Sequence, residues 1–187
     1  STTNRKTTYS IIADPEFTEV NQAYLSYSGI PDTKLKYGRQ RLALDNQRFI
    51  GNVGWRQNEQ TFDAFTVVNK SLPATTITAG YIYNANRVFS DQAKFPATTF
   101  ANTGNAKMKS PILNVSYKGW SVGEIVGYGY LLDYTDFATN SIQTWGLRFK
   151  GDKAIADGMK FLYTAEYASQ SDYKKNPADY RVDYAFL

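Results

Sequence analysis

"KLKYGRQRLALDNQRFIGNVGWRQNEQTFDAF", Lys34 to Phe65, opens and closes with the period-two alternation of a β-strand, yet up to Arg56 it sets Lys34, Lys36, Arg39, Arg41, Arg48 and Arg56 against Asp45 alone. That is a net +5 within a 187-residue chain whose whole formal charge is +4. Cations alternating with leucine and tyrosine need a strand with two unlike faces. Leu35 and Tyr37 are apolar at odd positions, Leu42 and Leu44 at even ones. This slip of parity predicts a β-bulge between Tyr37 and Leu42, with Gly38 supplying the unusual backbone angle. Both apolar pairs then share one face, and Arg39 and Arg41 point to the other.

The same alternation runs outward from this stretch. Ala23, Leu25 and Tyr27 share a face, as do Ile77, Ala79, Tyr81 and Tyr83, then Trp145, Leu147 and Phe149, then Phe161, Tyr163, Ala165 and Tyr167, and finally Val182, Tyr184 and Phe186. Nine strands are expected near residues 20–29, 34–44, 61–69, 76–88, 111–118, 121–132, 141–150, 159–169 and 180–187. Short connections ("IPDT", "SLPAT", "KGW" and the somewhat longer "GDKAIADG") alternate with long ones, which are expected at 45–60, at 89–110 on the extracellular side, and in a 1–19 approach to the first strand. Turns at one rim and loops at the other are how transmembrane β-barrels are built.

Composition supports that reading. Aromatics are 16% of the chain, 15 of them Tyr, which suits the interfacial girdles of a membrane barrel. No run approaches the eighteen or so apolar residues that a membrane helix requires. With neither His nor Cys, thiolate and imidazole metal sites and His-based catalysis are excluded, so no enzyme, cofactor or metal centre is expected. The basic residues form no Lys/Arg-rich run, and a nucleic-acid partner is not expected. Nine strands do not complete a bacterial single-chain barrel, which carries an even number. Open edges leave backbone groups unsatisfied in lipid, so the strands are expected to continue into a missing remainder or to pair with neighbouring copies.

The sixteen residues Asp45 to Gln60 are too long for a simple hairpin and carry Phe49, Ile50 and Trp55. They are expected to fold inward, anchoring Phe49 and Trp55 on the wall and adding Arg48 and Arg56 to Arg39 and Arg41 in an electropositive constriction that selects anions. The blander alternative is that Arg39 and Arg41 brace the loop through Asp45, Glu59 or Asp63. Further inward charges are expected at Arg148, Lys160, Glu166, Arg181 and Asp183, more as braces than as a transport path. Glu124 leaves its strand ambiguous, because an inward Glu124 gives a thin lipid face of Gly123, Ile125, Gly127, Gly129 and Leu131.

The segments "NQAYLSY", "GIPDTKLKYGRQ", "LDNQRFIGNVGWRQNEQTFDA", "YGYLLDY", "GLRFKG", "LYTAEYASQSDY" and "NPADYRVDY" resemble the alginate-export-like family of Gram-negative outer-membrane porins. The resemblance implies a monomeric barrel of about eighteen strands, lacking here its signal peptide and its first and closing strands. It further implies an arginine-lined pore with Arg39, Arg41, Arg48 and Arg56 in the lumen or its loop. The expected function is passive diffusion of small or anionic solutes, polysaccharide among them, with lipid and lipopolysaccharide as surroundings. The competing classes are a structural or adhesive β protein joined through strand edges and a soluble β-barrel binding protein.

Overall fold

The computed structural model describes residues 17–91, 100–101 and 103–187. They form one antiparallel nine-stranded sheet in strictly sequential order: β1 (Ala23–Ile30), β2 (Thr33–Gln40), β3 (Thr61–Asn69), β4 (Thr75–Asn86), β5 (Asn105–Trp120), β6 (Gly123–Leu132), β7 (Ile142–Ala156), β8 (Met159–Asp172) and β9 (Arg181–Phe186). A 3-10 turn, Ala138–Asn140, is the only helical piece among the described residues. All nine expected strands are present, and three have an end displaced by four residues or more: β2 stops at Gln40 and not at 44. β7 runs to Ala156, so most of "GDKAIADG" is strand and the turn is confined to Asp157 and Gly158. β5 starts at Asn105, so the last residues of the expected 89–110 loop are strand, while 92–99 and 102 lie outside the described residues, as does most of the 1–19 approach.

Short turns join β1–β2, β3–β4, β5–β6 and β7–β8 at one rim, and long segments join the other pairs at the opposite rim. The two faces of the sheet differ sharply. Leu25, Tyr37 and Phe65 are paired in one row, and Trp145, Leu147 and Tyr167 share their face further along. Their side chains are open, Leu25 at 77%, Tyr37 at 59% and Trp145 at 54% exposure. A continuous apolar face this size is what a membrane surface needs and what a soluble protein avoids. The other face is covered. Phe62, Ala64, Ile82, Ile112, Val126, Tyr128, Tyr130 and Leu132 are buried there, and Leu42, Leu44, Phe49 and Ile50 of the β2–β3 connection pack on them.

Glu124 shares the covered face with Val126 and Tyr128, bonded to Ser116 and 3.1 Å from Lys150. The thin outer face of β6 is filled from its neighbour: Trp145 is paired with Gly129 and its ring lies where a side chain at 129 would stand. On the covered face Tyr128 lies over Gly146 in the same way.

The predicted bulge after Tyr37 is absent. Pairing of β2 with β3 is unbroken from Thr33–Asn69 to Gln40–Phe62, although Gly38 does take φ +124°. The parity slip in the sequence instead marks the end of the strand, because the chain leaves the sheet after Gln40. An irregularity does occur opposite Asp63 and Ala64, where Tyr83 of β4 is the extra residue.

Candidate functional site

The β2–β3 connection, residues 41–60, lies across the covered face because its apolar residues have a wall to bury against. It is closed on itself by the Leu44 N–H bonded to the Ile50 carbonyl (3.0 Å), the Gln60 N–H to the Asn52 carbonyl (2.7 Å) and the Gln60 amide to the Gly51 carbonyl (2.9 Å). Asp45, Gln47 and Val53 adopt left-handed backbone, costly for the β-branched valine, so the loop's shape is set by its packing and not by local preference. Phe49 is the anchor, its ring centroid 5.6 Å from Tyr128, 6.4 Å from Tyr130 and 6.2 Å from Tyr184. Trp55, the second expected anchor, is instead 74% exposed and stacks on Arg56, while Ile50 takes the buried place.

Hydrogen bonds join the Asp45–Asn46 part of this loop to β5, β6 and β8. The Asp45 carboxylate accepts from the Asn114 amide (2.7 Å) and the Tyr130 hydroxyl (3.1 Å). Asn46 donates to Glu166 (3.0 Å), which also accepts from Tyr128 (2.8 Å). Arg148 lies 3.8 Å from Glu166, a separation at which the pair interacts through charge and not through a hydrogen bond. The Glu166 side chain is 1% exposed. Burial pushes the Asp45 carboxyl above its usual range, opposed by the Tyr130 and Asn114 bonds and by Arg148.

The other end of the loop is gathered on Glu59, whose side chain is 7% exposed. It accepts from Arg41 Nε and Nη2 (2.7 Å each), from Asn52 (2.7 Å) and from Asn21 (2.8 Å). The Arg41 guanidinium, helped by the two amides, holds this carboxyl below the usual range despite desolvation.

The eight residues singled out by sequence do not meet in one ring. Asp45, Arg148 and Glu166 come together beneath the loop, and Arg48 joins them at the edge, over the Tyr184 ring at 4.3 Å. Arg41 is bound to Glu59, and Arg56 lies over Trp55 at 4.0 Å. Arg39 and Asp63 do not reach this cluster. Without a bulge they keep the parity of Tyr37 and Phe65, and Arg39 bonds Asp63 (2.9 Å), Glu19 (3.0 Å) and the Val20 carbonyl (3.1 Å) on the far face at the loop rim. Asn86 donates to the same Asp63. Arg181 and Asp183 also turn to the outer face, because Val182, Tyr184 and Phe186 are paired with Gln170, Ala168 and Glu166. Lys160 does share the covered parity and pairs with Asp152 at 3.2 Å.

Sequence reasoning passed over Lys34 and Lys36. They are paired with Val68 and Thr66 on the covered face, and Lys36 lies 4.4 Å over the Tyr24 ring. With Gln40, Arg41, Leu42, Leu44, Thr66, Val68 and Lys70 they line a cleft of about 590 Å³ between the loop and the β2–β3 wall, where Asp32 is the one acid. Their alternation with Leu35 and Tyr37 was the usable signal. Among the described residues no group of three or more acidic side chains is gathered as a metal site.

The model of the family described as alginate export matches residues 10–185. A search of curated proteins returned no match. Among solved structures, the chain is similar to Pseudomonas aeruginosa OpdK with vanillate (13% identity, TM-score 0.60, covering 82% of this chain and 38% of that one). Pseudomonas aeruginosa OccD3, also called OpdP, gives 16% identity and a TM-score of 0.61 over 86% of this chain and 37% of its own. Pseudomonas aeruginosa OpdL gives 17%, 0.57, 87% and 40%. The chain thus spans well under half the length of these β-barrel porins, as a partial barrel does.

Proposed function

Because the chain belongs to the alginate export family, whose place is the cell outer membrane, we propose that its sheet is the wall, and its 41–60 loop the constriction, of a passive diffusion channel that prefers anions. The apolar face of Leu25, Tyr37, Leu113 and Trp145 meets membrane lipid, and the Arg39–Asp63–Glu19 rim lies at the level of lipopolysaccharide head groups. The edges of β1 and β9 pair with further strands that close the barrel. No bond-making step enters this reading; the solute moves down its gradient.

The observation that carries the anion preference is the cleft at Lys34 and Lys36. Arg41 is neutralised by Glu59 and Arg148 by Glu166, whereas neither of these two lysines forms an ion pair within 4.0 Å among the described residues. Unpaired cations in a narrow wet space concentrate anions, as rings of positive side chains do in selective pores. Small carboxylates and acidic saccharides are the solute classes that fit. OpdK was solved with vanillate, itself a carboxylate, which agrees with this class.

Reversal potentials of the full-length protein in planar bilayers test the proposal. Anion preference is expected, it should fall in a K34A/K36A variant, and R39A should leave it unchanged. Cation preference in the parent protein, or an effect of R39A equal to that of the lysine pair, would remove the basis for this assignment.

A further inference from the structure

The Glu59 side chain is largely covered and lies next to the loop's exit into β3, outside the lining of the lysine cleft but bonded to Arg41, which does line it. Four donors from three places in the chain converge on its two oxygens: Asn21 from the segment before β1, Arg41 twice from just after β2, and Asn52 from the middle of the loop. Both exits of the loop are therefore tied to each other and to the approach segment by one carboxylate. A buried acceptor with four charge-assisted bonds is a specific and strong tie. The far end of the loop is held separately, by Asp45 and Asn46 on the wall.

Resting on the channel reading, we propose that Glu59 is the positioning residue of the constriction. It fixes how far the loop stands from the wall, and so the width of the passage, without itself touching the solute. The apolar residues Leu42 and Ile50 give the loop its attachment, which is non-directional. Glu59 gives it one position. Its loss converts a fixed constriction into one that moves between several positions, while the selectivity set by Lys34 and Lys36 is kept.

The test uses the full-length protein as parent and as E59Q, which keeps shape and removes charge. In bilayer recordings E59Q is expected to show added open-channel noise and sub-conductance steps, with anion preference kept or raised because Arg41 at the cleft loses its counter-charge. A second readout needs no current. The 187 residues contain no cysteine, so an I50C reporter, in a background with any other cysteine replaced by serine, measures how often the loop lifts. Labelling of that buried thiol is expected to rise about tenfold in E59Q, the order of one lost charged hydrogen bond, and to return toward the parent rate in E59D. Equal noise and equal labelling in parent and E59Q overturn the proposal. So does a changed reversal potential without added noise, which makes Glu59 a field-setting group instead. If the parent passes no current the channel reading fails, and the labelling rate still judges Glu59.

Discussion

Arg39 with Asp63, and Arg148 with Glu166, are both cross-strand ion pairs in one sheet, yet they stand on opposite faces. The first is open at the loop rim and takes a second acid, Glu19. The second is enclosed beneath a loop that adds Asn46 to the same carboxylate. Chemical identity alone does not assign a charge to a pore. The pairing register does, because one residue of difference moves a side chain from lipid or rim to the interior.

The comparison breaks most severely if the outer face is given a charge. Leu147→Arg, in the middle of the lipid-facing row, is expected to cost about 2–4 kcal/mol. Urea titration of refolding into vesicles measures it, and a cost near zero would mean that this face is not against acyl chains. Removing charge from the inner pair comes next. Glu166→Gln leaves Arg148 with Asp45 as its remaining acid and weakens the Asn46 contact, so the loop is expected to dock less firmly by about 1–3 kcal/mol. Trypsin cleavage after Arg48 should speed up accordingly, whereas Asp63→Asn on the rim should leave that rate unchanged.

The smallest effect is that of pH on the loop, because its two acids oppose each other. Glu59 has its pKa lowered by docking, so its contribution is present above the ordinary carboxylate range and is lost as pH falls through the docked value. Asp45 has its pKa raised, so its docked carboxylate is a penalty at neutral pH that protonation removes. Loop fluctuation, read as open-channel noise, should therefore first decline as pH drops from neutral and then rise below the ordinary carboxylate range. D45N should remove the first limb and E59Q the second.

Much of this architecture was legible in the sequence. Period two marked β1, β4, β7, β8 and β9, and the alternation of short and long connections marked the two rims. The site was harder. The parity slip after Tyr37 was read as a bulge, when the chain was leaving the sheet, and that single step moved Arg39 to the wrong face; Lys34 and Lys36 alternate with Leu35 and Tyr37 ahead of the slip and were passed over for the arginines. Strand β9 was reversed for a different reason. The interior here is not uniformly polar: under the loop it is Val126, Tyr128, Tyr130 and Tyr184, so equating apolar with lipid fails wherever a loop supplies a second dry surface. Trp55 was expected to be buried for its size, but the loop's turns spend that burial on Phe49 and Ile50. Glu59 gave only the weak signal of an acid near two arginines, since its amide partners lie 38 and 7 residues away.

Tyr128 over Gly146 and Trp145 over Gly129 form a keyed seam, each ring seated in a notch of the adjoining strand, one key on either side of the sheet. Sliding β6 against β7 by two residues would set Tyr128 against Arg148 or Thr144 and empty both notches. During insertion such a hairpin has one alignment in which both rings find a glycine, since Tyr128 loses its notch in either neighbouring one, so this seam is the natural ruler from which the rest of the wall can be laid down in step.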